Sequence, residues 1–246
     1  MINIVLWYKG TNFYSEKRMS YWNGMNSNEK DSKGKNMSKE KEFLQELEQE
    51  AFHNKYEAAC RLVVDRLEKI NTEVSGKKER NYIKDIDYRV KTPESCLNKM
   101  KKKGYALKVD TAREKLNDIA GVRAVCYFLD DVYQLADLLI GNHDFEFIKL
   151  KDYVKKPKSS GYQSVHVIVK VPIDGEFVKV EIQLRTRAMD FWADIEHHFI
   201  YKTKEVGMEV FEQEFLKCSK SIQKIDKQML KIRKKLEAAG VRAYSI

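Results

Sequence analysis

Residues 163–171, with the sequence QSVHVIVKV, alternate between two kinds of side chain. One parity carries Gln163 and then valines at positions 165, 167, 169 and 171. Because successive side chains of a β-strand point to opposite faces of a sheet, the pattern predicts a strand with one core-facing side. The other parity starts with Tyr162, Ser164 and His166 after a run of lysines, and a hydrophobic core does not explain it.

Four further segments predict strands, because they alternate in polarity or are rich in β-branched and aromatic residues. They are Lys84–Lys91, Gly121–Leu129, Glu146–Asp152 and Phe177–Arg185. The dipeptide Asp174-Gly175 before the last of them predicts a tight hairpin. With the helices described next, the chain is predicted to be an α+β protein in which helices flank a five-stranded sheet.

Two helices are predicted between the strands. Thr92 is a suitable N-cap for the first, Pro93 suits its first position and Gly104 suits its end. The second covers Asp131–Ile140. Before the strands, apolar residues recur at helical spacing from Glu40 to Ile70, which predicts one amphipathic helix or two helices joined near His53.

The C-terminal segment has the most regular periodicity. Its apolar residues follow a 4-3-4-3 repeat, at Phe211, Phe215, Cys218, Ile222, Ile225, Met229, Ile232, Leu236 and Ala239. A stripe at this spacing faces a partner helix, either the N-terminal helix of the same chain or a second copy of itself. We therefore divide the chain into a disordered leader (1–38), a central domain (39–205) and an oligomerisation helix (206–246).

Composition limits the class of protein. The net charge is +9, which favours polyanionic partners such as nucleotides, nucleic acid or anionic lipid. No apolar run approaches the roughly 18 residues of a membrane span. The four cysteines contain no Cys-x-x-Cys pair, which fits the reducing cytoplasm better than a zinc site or a disulfide framework; they are Cys60, Cys96, Cys126 and Cys218.

The polar parities of three strands predict one shared face. It would carry Arg89, Lys91, Tyr162, Ser164, His166, Glu181, Gln183 and Arg185. A solvated face of an antiparallel sheet alternates in the same way and is the commoner case for any one strand. Such a face usually carries interchangeable Thr, Lys, Glu and Ser, whereas this one carries groups that stack, polarise and neutralise phosphate. We therefore favour a functional site.

The charged residues indicate phosphate chemistry. Many basic side chains near these motifs suit a polyphosphate, namely Arg89, Lys91, Lys99, Arg123, Lys151, Lys155, Lys156 and Lys158. Two carboxylates in hydrophobic settings, Asp118 and Glu181, suit a Mg²⁺ ion, which binds through one or two carboxylates plus substrate phosphates. This combination favours phosphoryl transfer over hydrolysis of a sugar or peptide, with Tyr162 available to stack on a base.

Five motifs carry a family resemblance. RVKTPES, DIAGVRAVCYF, KDYVKKPKSSGYQSVH, VEIQLRT and AMDFWADIEHHFIYK follow one another in this order. Together they resemble the RelA/SpoT-type synthetase domain, most closely the small single-domain alarmone synthetases, over about residues 40–240. The resemblance implies a nucleotidyltransferase-like fold with a mixed sheet, and Mg²⁺-dependent transfer of the β,γ-pyrophosphate of ATP to the 3′-hydroxyl of GTP or GDP.

The resemblance also implies residue roles. ATP would contact Arg89, Lys91, Ser95, Lys99 and Arg123, with the two arginines on either side of the adenine. Asp118 would bind Mg²⁺, and Glu181 would be a second ligand or the base for the 3′-hydroxyl. The acceptor nucleotide would contact Lys151, Lys158, Tyr162, Ser164, His166 and Gln183, with the tyrosine stacked on guanine.

Several expectations concern specificity and partners. Relatives often have Pro-Asn where this chain has Ser159-Ser160, and many small members have a basic residue at Gln163, so the preference between GTP and GDP is left open. The resemblance implies synthesis without a hydrolase domain, a homotetramer formed through terminal helices, and possible regulation by (p)ppGpp or single-stranded RNA. A basic single-stranded RNA-binding module is the alternative, although it leaves Asp118 and Glu181 unexplained.

Overall fold

A computed structural model describes residues 27–202 and 209–241 of the chain. Seven helices and five strands follow one another within these ranges. In chain order they are α1 (Ser27–Leu47), α2 (Glu50–Lys78), β1 (Ile83–Val90), α3 (Pro93–Lys103), α4 (Val109–Lys115), β2 (Ala120–Cys126), α5 (Leu129–Ile140), β3 (Glu146–Asp152), β4 (Val165–Ile173), β5 (Glu176–Thr186), α6 (Arg187–Lys202) and α7 (Glu209–Ala238).

The strands form one mixed sheet in the order β1-β2-β5-β4-β3. The central pair, β2 and β5, is parallel, and the other three pairs are antiparallel. The predicted hairpin between β4 and β5 is confirmed, because Asp174 and Gly175 both have positive φ, at 48° and 79°, as a two-residue turn that follows strand twist requires. The predicted α+β class with a five-stranded mixed sheet is confirmed.

The strand boundaries differ from the predictions at some ends. β3 has the predicted bounds, whereas β2 stops at Cys126 because the Asp131 carboxylate accepts a hydrogen bond from the Phe128 amide and starts α5. β4 begins at Val165 rather than at Gln163, since Gln163 and Ser164 belong to the preceding loop. The predicted start of that strand was therefore two residues early.

The valine face of the sheet is the core. The side chains of Val165, Val167 and Val169 are completely buried, in one cluster with apolar residues of α2 and α5. Both helices pack on this same face, across β1, β2, β4 and β5. Burying a valine side chain contributes about 1.5–3 kcal/mol, so this face provides much of the stability of the fold.

The helices confirm most predictions and correct some. Thr92 caps α3 by accepting a hydrogen bond from the Ser95 amide, Pro93 opens the helix, and Gly104 ends it. The long N-terminal helix is two helices, α1 and α2, which meet at residues 48–49, and α2 extends to Lys78, beyond the predicted end at Ile70. The short α4 was not predicted. Residues 1–26 of the expected leader lie outside the described residues, while 27–38 belong to α1.

Helix α7 packs on α5 and α6 with an unexpected face. Its most buried side chains are polar: Ser219, Asp226 and Arg233, at 3%, 7% and 7% exposure. Most of the predicted apolar stripe is exposed instead, including Ile225 and Met229. Most of the stripe therefore does not pack on the rest of this chain in the described residues; Phe215 is an exception, because its ring contacts Trp192 of α6.

No helix in the described ranges combines the length and the apolar character that crossing a bilayer requires.

Candidate active site

Strand register brings the predicted polar residues onto one face. One row across the sheet runs from Asp87 on β1 to Arg123, Gln183, His166 and finally Lys151 on β3. The adjacent row places Arg89, Gly121, Glu181 and Ile168 side by side. Directly opposite residues lie about 4.5–5.5 Å apart at Cβ, so these side chains share a single surface.

Glu181 is at the centre of this face. It is 7% exposed, and its carboxylate accepts hydrogen bonds from Lys151 Nζ at 3.1 Å and from Gln183 Nε2 at 3.2 Å. His166 Nδ1 lies 3.3 Å from Glu181 Oε1, although not aligned for a good hydrogen bond. Burial alone would raise the pKa of Glu181, but His166 and Lys151 outweigh burial and lower the pKa well below its ordinary value. The carboxylate is therefore ionised at neutral pH.

A chain of hydrogen bonds joins Glu181 to the predicted stacking residue. The Tyr162 hydroxyl lies 2.9 Å from His166 Nε2 and accepts a hydrogen bond from Arg185 at 2.8 Å. Burial lowers the pKa of His166, which favours a neutral imidazole. A neutral ring that accepts the Tyr162 proton at Nε2 directs its Nδ1 proton towards Glu181. The orientation of the tyrosine is thus fixed by two neighbours, His166 and Arg185.

Lys158 lies between two aromatic rings beside this chain. Its ammonium is 4.5 Å from the centre of the Tyr162 ring and 5.0 Å from that of Tyr153. Desolvation lowers its pKa, with the neighbouring charge of Lys151 acting in the same direction. A cation held against two ring faces is well placed to meet an anion that approaches the tyrosine.

Asp118 forms a second charged centre. Its Oδ2 forms ion pairs with Lys91 Nζ at 3.0 Å and with Lys99 Nζ at 2.7 Å. Burial would raise the pKa of Asp118, but the two ammonium groups outweigh burial and lower it. The three predicted residues are therefore brought together, next to the end of β1 and the start of β2.

Arg89 and Arg123 are diagonal neighbours on the same face of β1 and β2. Such positions are about 7–8 Å apart, which leaves space for one planar ring between two guanidinium groups. Arg123 is held by three carboxylates, those of Asp87, Asp190 and Asp194, each at 3.3 Å. Arg89 is exposed.

Two predicted serines differ in position. Ser95 is exposed in the first turn of α3, where its hydroxyl accepts a hydrogen bond from Thr92. Ser164 is fully buried, and its hydroxyl donates to the Leu184 carbonyl at 3.1 Å. The structure therefore does not present Ser164 to a ligand, because residues 163–164 precede the ladder and turn into the protein.

Three site residues were missed or underrated from the sequence. Tyr153 lies edge-on to His166 at 5.1 Å between ring centres, and Asp190 pairs with Arg185 at 3.1 Å. Arg185 was assigned to the polar face without a role, yet it orients Tyr162. Tyr153 follows β3 within the motif KDYVKK, so its proximity to lysines was a usable signal; Asp190 gave none, because it lies on a different element, α6.

The donor set fits a divalent cation that binds with the substrate. Asp118 Oδ1 is buried and has no hydrogen-bond partner, which is the state expected of a carboxylate oxygen reserved for a ligand. In the described part of the chain, no three His, Cys, Asp or Glu side chains are placed so that together they could hold a metal ion. Asp118 and Glu181 would thus supply few ligands, as Mg²⁺ sites shared with phosphates do.

Comparison with curated proteins identifies relatives. Residues 88–206 match the family model described as a region found in RelA/SpoT proteins. The chain is 37% identical over 161 residues to the GTP pyrophosphokinase YwaC of Bacillus subtilis, covering 64% of this chain and 77% of that protein. It is 34% identical over 194 residues to the GTP pyrophosphokinase YjbM of the same organism, covering 77% and 90%.

Solved structures agree with these relatives. The small alarmone synthetase 1 from Bacillus subtilis, bound to its product pppGpp, superposes with a TM-score of 0.70 at 31% identity, covering 76% of this chain and 97% of that one. A GTP pyrophosphokinase family protein from Streptococcus pneumoniae superposes with a TM-score of 0.71 at 32% identity, covering 79% and 97%. Matching motifs, site geometry and fold lead to one conclusion: this chain belongs to the RelA/SpoT family of GTP pyrophosphokinases.

Proposed function

We propose that this protein is a (p)ppGpp synthetase, which transfers the β,γ-pyrophosphate of ATP to the 3′-hydroxyl of GTP or GDP and releases AMP. The observation that carries the proposal is one sheet face that presents an arginine pair, the ionised Glu181 and an oriented tyrosine, with the ionised Asp118 next to the start of β2. Each carboxylate is already neutralised by lysine. Such a face suits two nucleotides that meet through their phosphates and a ribose hydroxyl.

The arginine side of the face would bind ATP. Arg89 and Arg123 would hold the adenine between their planar groups, since guanidinium groups stack on rings. Lys91, which follows β1, and Lys99 on α3 both pair with Asp118. When ATP binds, their ammonium groups would pair with its phosphates instead. Ser95, exposed in the first turn of α3, would add a contact at a helix N-terminus, where anions are favoured.

The tyrosine side would bind the acceptor. Tyr162 would stack on the guanine, with its ring orientation fixed by His166 and Arg185. Lys151 and Lys158 would meet the acceptor phosphates, and Gln183 and His166 would contact ribose or phosphate. We no longer assign Ser164 to the nucleotide, because its hydroxyl is bonded to the Leu184 carbonyl.

Asp118, with Glu181, would hold a Mg²⁺ ion, which supplies neutralisation of the phosphate charge during transfer. The low pKa of Glu181 makes it a weak base while Lys151 is its partner. If Glu181 is the base for the 3′-hydroxyl and not a Mg²⁺ ligand, the move of Lys151 to a phosphate would raise the pKa of Glu181, while His166 continues to lower it. The ion pair therefore links acceptor binding to readiness for the reaction.

The test is incubation of the purified protein with Mg²⁺, γ-labelled ATP and either GDP or GTP, resolved by thin-layer chromatography. We expect label in a guanosine tetra- or pentaphosphate and an equal amount of AMP. Glu181→Gln should abolish transfer while nucleotide binding remains. Glu176→Gln is the matched control, because that carboxylate is exposed on the β4–β5 hairpin and pairs with Lys55. Transfer by Glu181→Gln at the wild-type rate would contradict the proposal.

We also propose a homotetramer, a cytoplasmic location and regulation by (p)ppGpp or single-stranded RNA. The exposed apolar stripe of α7 supports a homotetramer formed through terminal helices. The four cysteines are free, which supports a cytoplasmic location. The net charge of +9 permits regulation by (p)ppGpp or single-stranded RNA without selecting either. Steeply salt-dependent RNA binding without any pyrophosphate transfer is the outcome that would instead support the RNA-binding module.

A further inference from the structure

We propose that Ser219 of α7 is a positioning residue for the acceptor nucleotide, acting through the loop that carries Tyr162. This inference rests on the proposed function for its substrate. Ser219 touches no candidate nucleotide contact directly; it holds the backbone one residue before the stacking tyrosine. The C-terminal helix is thereby a structural part of the acceptor site.

Three hydrogen bonds join Ser219 to the loop. Its hydroxyl donates to the Gly161 carbonyl at 2.5 Å. The Gln163 side-chain amide donates to the Ser219 hydroxyl at 2.7 Å and to the Ser219 carbonyl at 3.1 Å. Ser219 and Gln163 are only 3% and 4% exposed, so water does not readily replace these bonds. The residues on both sides of Tyr162 are thus fixed to one point on α7.

Gly161 allows the helix to come this close. Its φ is +96°, a conformation that L side chains rarely adopt. A Cβ atom at this position would lie 2.9 Å from Ser219 Cβ and 3.3 Å from Leu216 Cα. The contact between the loop and α7 therefore depends on the absence of a side chain at residue 161.

The same helix also holds the other end of the loop. One turn after Ser219, the Gln223 side-chain amide donates to the Val154 carbonyl at 3.5 Å. Between these two attachments lies Lys158, whose ammonium is placed against the Tyr162 ring. The loop is consequently fixed by α7 from one side and by His166 and Arg185 from the other, and both sets of contacts determine where a guanine would stack.

The test compares Ser219→Ala with Ser221→Ala by calorimetric titration with GDP and, separately, with ATP, and by steady-state transfer kinetics. Ser221 is the matched control, because it is exposed on the same helix and its hydroxyl bonds only to the Lys217 carbonyl. We expect Ser219→Ala to raise the Kd for GDP and the KM for the acceptor about tenfold, about 1.4 kcal/mol, with ATP values within twofold. Ser221→Ala should change none of them.

Gln163→Met provides a second variant, since it removes the amide donor but keeps a side chain of similar length. It should weaken GDP binding in the same direction. Equal weakening of ATP and GDP, or unchanged GDP binding by both folded variants, would overturn the inference. A wild-type chain that binds GDP but transfers nothing would refute the proposed function, and weaker GDP binding by Ser219→Ala would still support the positioning role. A wild-type chain that binds no GDP would overturn both.

Discussion

The central sheet and helix α7 bury opposite kinds of side chain against the rest of the domain. On β4 the valines are buried against helices and the polar parity faces the candidate site. On α7 the polar residues Ser219, Asp226 and Arg233 are buried against the domain, while Ile225 and Met229 are exposed. Apolar burial is non-directional, whereas buried hydrogen bonds and ion pairs are satisfied in one geometry only. The sheet is thus stabilised by the apolar area that it buries, whereas α7 is aligned by hydrogen bonds and ion pairs to particular residues.

The largest loss of stability is expected for a substitution of Arg233, one of the buried polar residues of α7. Its guanidinium pairs with Asp130, and it also lies within 4.0 Å of Asp131 and 3.5 Å of Glu237. Arg233→Met leaves the half-buried Asp130 carboxylate without its partner and removes one of the two cations near the buried Asp131, which we expect to cost about 3 kcal/mol of the free energy of unfolding. Urea denaturation measures it, with exposed Lys234→Met as control. Equal stability of the two variants would show that α7 is not held by this network.

The next effect is a pH dependence at Asp226. Burial raises the pKa of Asp226 to about 6, opposed by a hydrogen bond from Thr186. Since the folded pKa is above the unfolded value, stability is highest below about pH 4 for this group and falls as pH rises through 6. The loss is about 2–3 kcal/mol. Asp226→Asn should remove it, so the melting temperatures of the two proteins should converge near pH 3.5 and diverge at pH 7.5. Parallel curves would contradict the assignment.

The apolar side of the comparison is tested at Val167, which is completely buried. Val167→Ala removes two methyl groups from the core, and we expect a loss of about 2 kcal/mol in unfolding free energy. Because the residue points away from the site, the rate per folded molecule should stay within twofold. A large change in rate at unchanged stability would mean that the two faces of the sheet are not independent.

The smallest effect on the fold is expected on the exposed stripe of α7. The double variant Ile225→Lys, Met229→Lys should change the unfolding free energy of the monomer by less than about 0.5 kcal/mol, because both side chains are exposed. If the stripe joins subunits, the mass measured by light scattering should fall from that of the proposed tetramer. An unchanged oligomer would place the subunit contact elsewhere.

The sequence predicted the sheet well because period-two alternation reports directly on burial. The polar parities of β1, β4 and β5 do share one face, and Lys91, Lys99 and Asp118 do meet. The start of β4 could not be predicted, since Gln163 continues the alternation but its amide bonds to α7. Alternation identifies a face without showing where the ladder hydrogen bonds begin.

The face of α7 that packs on the domain could also not be predicted from the sequence. The 4-3 repeat of apolar residues is a stronger pattern than three polar residues spaced seven apart. Which stripe faces the domain depends on partners such as Thr186 and Asp130, which lie about 40 and 100 residues away in the chain. Contacts of this range leave no local periodicity, and the same holds for the ion pair between Asp190 and Arg123 at the site.

Ser219, Asp226 and Arg233 are seven residues apart on α7, and each contacts a different part of the domain. The spacing between these contacts on the domain therefore has to match the spacing of the residues on the helix. Ser219 faces the loop before Tyr162 and Asp226 faces Thr186, two turns further on. An α-helix turns about 100° per residue, so inserting one residue between them would rotate the second contact away and bring an apolar side chain to Thr186. A single substitution on this helix removes one contact, whereas an insertion or a deletion misaligns every contact beyond it. The number of residues between these contacts therefore has to stay constant for α7 to keep all of them.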